Sequence, residues 1–144
     1  MSDPNDLDRF LRAQEGVYDV AVEELRGGRK TSHWMWFVFP QIAGLGHSSM
    51  AQRYAIHSLD EARAYLDHPV LGARLRQVAV ILADELPERP GLTAESIMGG
   101  VDAVKLRSSM TLFQLAANVP SSVFERVLDR YFGGRLDDAT LDRI

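Results

Sequence analysis

The 144-residue sequence is 46% apolar and 25% charged, carries a formal net charge of −4 and contains no cysteine. A chain of that length fits one domain that buries roughly two-thirds of its unfolded surface, and an acidic balance argues against a partner held by phosphate neutralisation. The missing cysteines exclude a disulfide framework, a thiolate metal site and a cysteine nucleophile.

From Asp6 to Arg26, Leu7, Leu11, Tyr18, Ala21, Val22 and Leu25 recur opposite Asp8, Arg12, Glu15, Asp19 and Glu23, the stripe of an amphipathic helix. Gly16 costs about 1 kcal/mol relative to alanine inside a helix, which predicts a kink or a break into two helices. Gly27-Gly28 ends the segment. The next stretch, Arg29 to Gln41, packs both tryptophans and two of the six phenylalanines into the six positions Trp34 to Phe39. Trp34, Trp36 and Val38 could share a strand face, but a lone strand has nowhere to pair, so a short buried helix or irregular core segment is expected. Gly44-Leu45-Gly46 reads as a tight turn, since a dinucleotide fingerprint fails at Ser49.

Ser58-Leu59-Asp60-Glu61 has capping-box spacing and predicts a helix over Leu59 to Asp67. His68-Pro69 closes it and opens the next, whose face is Leu71, Leu75, Val78, Ala79, Leu82 and Leu86. Pro87 to Thr93 is expected to be a surface loop, with Thr93 capping a short turn through Ile97 and Met98. Asp102 is expected to be the N-cap of a helix facing inward through Leu106, Met110, Phe113 and Ala117. Ser122 to Glu125 repeats the capping spacing, Phe124, Val127, Leu128 and Tyr131 follow, and Gly133-Gly134 stops that helix. A last short helix runs from Asp138 to Ile144. The expected fold class is all-α, a compact single-domain bundle of about six to eight short helices over residues 1–144, with 1–5 as a flexible N-terminal tail. No apolar run nears the about 18 residues of a membrane span, and the polar start lacks the features of a signal peptide. A cytoplasmic location is expected.

The segments Gly28-Arg29-Lys30, Ser32 to Gln41, Gly44-Leu45-Gly46, His68 to Gly72 and Asp102 to Phe113 together resemble the bacterial family catalogued as domain of unknown function 1810, from about Leu7 to about Leu141. That resemblance implies a small, single-domain, mainly helical protein and brings no assigned activity. Some members carry the label calpastatin, a disordered inhibitor built from repeats, which this repeat-free globular composition does not fit. Ser32-His33-Trp34 is more faintly similar to the Ser-Glu-His-Tyr type motif of the all-helical NADAR family, which acts on ADP-ribose linkages. The acidic residue of that motif is absent, so its catalytic role does not carry over.

Known mechanistic motifs fail on inspection. A P-loop needs glycines where Arg29 and Glu24 stand. His33, His47, His57 and His68 lack zinc-protease spacing, and no Gly-x-Ser-x-Gly elbow surrounds Ser48, Ser108 or Ser109. Neither metal nor cofactor is expected. What remains is a convergence of Lys30, His33, Trp34, Trp36 and Gln41 from the first motif with Arg74, Lys105 and Ser109 across from them. Aromatic walls with a few cations suit a small anionic or nucleotide-like ligand. His33 is the first candidate for acid-base chemistry, because histidine titrates nearest neutrality; a satisfied core histidine is the competing reading. Taken by themselves, Lys105 and the serines read first as a solvated or snorkelling side chain and tight helix packing. The leading expectation is therefore a Trp-lined ligand site, with catalysis left open and with neither nucleic acid nor membrane as partner. The alternative is a protein-interaction module whose aromatic segment is structural core. The choice turns on whether the helix that carries Lys105 faces the tryptophans.

Overall fold

Each interval of helical spacing is helical in the computed structural model, which describes residues 3–144. Among the described residues there are ten α-helices, six of them seven residues or longer, and no strand. Helices α1 (Asp8–Gln14) and α2 (Tyr18–Arg26) are the two halves of the first amphipathic stripe, broken where Gly16 takes a φ of +74°. The flexible tail expected over 1–5 falls in part on residues 1 and 2, outside the described residues. Asp3 holds the start of α1, accepting from the backbone N–H groups of Leu7 and Asp8 at 2.9 and 3.1 Å.

The aromatic run forms one helical turn, α3 (Met35–Val38), and Ser48 caps the short α4 (Ser49–Arg53). An isolated parallel bridge between Ile42 and Ile56 ties the segment after α3 to the segment after α4. Helices α5 (Leu59–Asp67) and α6 (Leu71–Val80) follow. The stripe of α6 runs on through a π turn, Ile81–Glu85, and a 3-10 turn, Leu86–Glu88. Pro87 thus lies in an ordered turn rather than opening a loop, because proline near the start of a helical turn forfeits an N–H that has no partner there. Helices α7 (Ala94–Met98), α8 (Gly100–Ala117), α9 (Val123–Phe132) and α10 (Asp138–Leu141) complete the chain.

The 18-residue α8 is the central strut and packs against α5, α7, α9 and α10. Every residue from Ser108 to Phe113 is buried, so this stretch is enclosed on all sides. Among the described residues no helix is long and apolar enough to cross a membrane.

Two local expectations are corrected. Gly99, at φ +85°, lets α7 pass directly into α8, so α8 begins at Gly100 and Asp102 lies in its first turn instead of capping it. Ser58 does cap α5, accepting from the Glu61 N–H at 3.0 Å. The Glu61 carboxylate does not reciprocate; it pairs with Arg9 at 3.2 Å in the interior. Arg9 also donates to the carbonyls of Asn5, Asp6, Arg53 and Ala55, so its guanidinium is fully engaged. That saturation offsets much of the cost of burying a charge.

Gly72 marks the tightest approach of two helices, since a Cβ there would lie 2.1 Å from the Leu66 carbonyl oxygen. Gly72→Ala is expected to destabilise the protein by about 2–4 kcal/mol through overpacking. Gly100→Ala, with open space around its Cβ, should be neutral or stabilising by up to about 1 kcal/mol. Urea unfolding of both variants measures the contrast.

Candidate functional site

The site is built outward from Glu24, near the C-terminal end of α2. After Gly27 the chain doubles back, and the Glu24 carboxylate accepts from the Thr31 and Ser32 N–H groups at 2.8 and 2.9 Å, from Ser32 Oγ at 2.5 Å and from Trp34 Nε1 at 3.0 Å. Burial raises the carboxyl pKa, but these hydrogen bonds outweigh it and bring the group down to about 2. Trp34 is thereby fixed in the core with no exposed surface.

The same loop delivers Lys30. Its backbone N–H donates to the Ile97 carbonyl at 2.7 Å, which anchors it beside α7. Its ammonium donates to the Ser32 carbonyl at 2.5 Å, pairs with Asp102 Oδ2 at 2.8 Å and lies 5.0 Å from the centre of the Trp34 ring. The Lys30 side chain is only 7% exposed. Asp102 Oδ1 lies 3.5 Å from Lys105 Nζ, and that ammonium sits 5.2 Å from the Trp36 ring centre. The two central motifs therefore face each other, joined by one carboxylate between two lysines, each over a tryptophan.

Lys105 opens onto a cleft of about 500 Å³ lined by Gln41, Leu45, Val101, Val104, Ser108 and Asp137. Beside that cleft, across a wall of Gln41, Leu45, Gly46 and Ala51 that both share, lies a smaller, partly open cavity of about 160 Å³ lined also by Trp36, Ile42, Tyr54 and His57. Gly46 allows the wall to be thin, for a Cβ there would lie 2.7 Å from that of Ala51. The Ile42–Ile56 bridge holds two sides of the smaller cavity together.

Of the residues singled out from sequence, Trp36, Gln41 and Lys105 line these spaces. Lys30 and Trp34 lie beneath them as buried support. His33 is exposed, lines neither space and makes no side-chain hydrogen bond among the described residues. Arg74 belongs to a separate cluster, donating to Gln14 Oε1 at 3.2 Å and stacking 5.1 Å from the Tyr18 ring centre. Ser109 is fully buried, lines neither space, and its Oγ has no hydrogen-bond partner among the described residues.

Three contributors escaped the sequence reading. Glu24 is joined to Trp34 only across a chain reversal, for which there is no local signal. Asp137 accepts from Ser108 Oγ at 2.9 Å and from Thr140 N and Oγ1 at 3.2 and 2.6 Å. Val101 and Val104, at 72% and 63% exposed, form an apolar lip; two valines on the polar side of an amphipathic helix were their visible signal. No group of three or more His, Asp or Glu side chains among the described residues could hold a metal ion. Ser108 is held by Asp137, and the groups that border the cleft are one ammonium, one carboxylate, one amide and apolar side chains.

Residues 4–144 match the family described as Protein of unknown function (DUF1810). The chain belongs to this family. A crystal structure at 1.38 Å of the conserved hypothetical protein Rv1873 from Mycobacterium tuberculosis is 48% identical, covers 97% of this chain and 96% of that one, and superposes with a TM-score of 0.91. Among proteins with curated descriptions none matches. In this DUF1810 protein the Glu24 clasp has a direct consequence for acid stability.

Above the ordinary carboxyl value of 4.5, Glu24 is charged in folded and unfolded chains alike and its full stabilisation is present. Between about 4.5 and about 2 the unfolded chain takes up the proton first, so stability falls with pH across that window. Glu24→Gln is expected to flatten this part of the profile and to cost about 1–3 kcal/mol at pH 7. Urea unfolding at pH 7 and pH 3, followed by tryptophan fluorescence, checks both effects.

Proposed function

We propose that this DUF1810 protein binds a small anionic or nucleotide-like ligand in the cleft between α8 and the Gly44–Ala51 segment, with Lys105 supplying the charge. One observation carries the reading: Lys30 and Lys105 share the single carboxylate of Asp102, leaving a net positive charge whose outer member borders the cleft. Lys30 is buried and satisfied, so its part is to hold Asp102 rather than to meet the ligand. Support also comes from the start of α8, which has no side-chain cap and whose Gly100 and Val101 line the cleft; the positive pole of a helix adds to the attraction of an anion.

A cytoplasmic setting belongs to the same proposal. The exposed Val101 and Val104 would favour an interaction module if they stood alone, but they lie on the rim of the cleft and are accounted for as its apolar lip.

The test is a thermal-shift screen of small carboxylates, phosphates and nucleotides. A ligand at about a hundred times its Kd adds about 2.7 kcal/mol of stability, a rise in Tm of roughly 8 °C for a domain of this size. Lys105→Ala should abolish that rise and leave the unliganded Tm within about 3 °C, because a partly exposed ion pair contributes about 0–1 kcal/mol. Lys30→Ala should lower the unliganded Tm by several degrees, since it removes a buried partner of Asp102. A broad panel that leaves the Tm unmoved would remove the proposal.

A further inference from the structure

The cavity beside the cleft has features that the anion reading leaves unused. Its volume of about 160 Å³ is comparable to the about 150 Å³ of an engineered cavity that takes up one benzene ring, although the exposed Gly44, Gly46, Gln52 and His57 leave this space open to solvent on one side. Its lining combines two aromatic side chains, Trp36 and Tyr54, with the amide of Gln41 and the imidazole of His57. Gln41 lines both spaces, and its side-chain amide makes no hydrogen bond with a described residue. The Trp36 indole N–H is likewise unpaired among the described residues, in contrast to that of Trp34, which is committed to Glu24. It is not among the unpaired polar atoms sealed from solvent, so it remains reachable.

An apolar void would need no such groups, and a void for water would need no aromatic walls. A side-chain amide presents a donor and an acceptor side by side, and an indole presents one donor. Together they complement a planar ring that carries a cyclic amide edge and a further acceptor. The other face of the arrangement is closed by Lys105, whose ammonium sits over Trp36, so an occupant of the inner cavity and a group bound at Lys105 would lie on either side of that region.

We infer that the inner cavity is a ring subsite for an uncharged, single-ring nitrogen heteroaromatic with an amide edge, the neutral end of the ligand whose anionic end lies at Lys105. This deepens the ligand reading above and rests on it for the anionic half alone. Gln41, Leu45, Gly46 and Ala51 border both spaces, so a linker between the two ends would run along this shared edge, and the volume of about 160 Å³ limits the occupant of the smaller space to one ring.

Two probes separate the halves: uracil, which has the ring and the amide edge without charge, and uracil-1-acetate, which adds one carboxylate. The two tryptophans give two indole N–H signals in ¹⁵N-resolved NMR, and Trp36→Phe assigns them. Uracil at millimolar concentration is expected to shift the Trp36 signal and leave that of Trp34 in place. Ala43→Leu, which fills the inner cavity from a position that does not border the cleft, should weaken uracil at least tenfold, with an unmoved Trp34 signal reporting an intact fold. Gln41→Leu should do the same if the first variant does not fold. Lys105→Ala should leave uracil within twofold and weaken uracil-1-acetate at least tenfold.

An unmoved Trp36 signal, or uracil affinity within twofold in Ala43→Leu or its substitute, overturns the ring subsite. Small carboxylates or phosphates that bind in a Lys105-dependent way while uracil does not would leave the cleft reading standing without the subsite. Uracil binding with no gain from the carboxylate upholds the subsite and removes the anionic half.

Discussion

The carboxylate of Asp102 is the constraint on which the rest of the site depends. Its two oxygens hold Lys30 at 2.8 Å and Lys105 at 3.5 Å, and each lysine lies over a different tryptophan of the aromatic run. One side chain thus pins α8 to that run at two points. Without it, a buried ammonium at Lys30 would keep only a carbonyl and a ring face, and an unpaired buried charge costs several kcal/mol. The contact also requires α8 to start before Asp102, which Gly99 permits by taking a backbone conformation closed to most residues.

Charges alternate along a single path from the core to the cleft. Glu24 accepts from Ser32, the Ser32 carbonyl accepts from Lys30, Lys30 pairs with Asp102, and Asp102 pairs with Lys105. The inner members are partly or largely buried and each has its partners, so they define one arrangement of the Gly27–Trp34 loop. Buried ion pairs often give little net stability compared with apolar packing. Their effect here is positional: they decide where Trp36 and Lys105 stand. The division of labour follows from burial, with Lys30 fixing the geometry and Lys105, partly exposed, left available.

Most of the scaffold was legible because its signals are local. Ser58, Thr93 and Ser122 cap the helices they precede, Gly16 breaks the first stripe, and Asn118 and Gly133 end α8 and α9 in left-handed conformations. What escaped depends on residues far apart in sequence. Glu61 has capping-box spacing after Ser58, yet its carboxylate pairs with Arg9, a choice set by where α1 packs. Asp102 looked like an N-cap because aspartate favours that position, but the cap is decided by Gly99. The aromatic run and the Lys105 helix could be recognised as chemically unusual, and their meeting could not, because it rests on side-chain contacts far apart in sequence, Asp102 with Lys30 and Lys105 with Trp36. His33 and Arg74 shared the composition of the site and point elsewhere, since loop reversal and helix register place them without regard to residue type. The inner cavity had no sequence signal, being the gap left when the Ile42–Ile56 bridge closes a loop over Trp36.

The charge count limits what the cleft can hold. Two lysines and one carboxylate leave a single positive charge near the mouth. Asp137 also borders the cleft, and its carboxylate is already occupied by Ser108 and by the first turn of α10. An occupant with one negative charge gains the attraction of Lys105 against a single repulsion from Asp137. A dianionic phosphate monoester would bring a second charge beside a carboxylate in a partly enclosed space, where like charges repel more strongly than in open water. The proposal accordingly favours a carboxylate or a phosphodiester, and the apolar lip of Val101 and Val104 adds to the match, because it contacts a linker or ring carrying one charge more favourably than a heavily hydrated dianion.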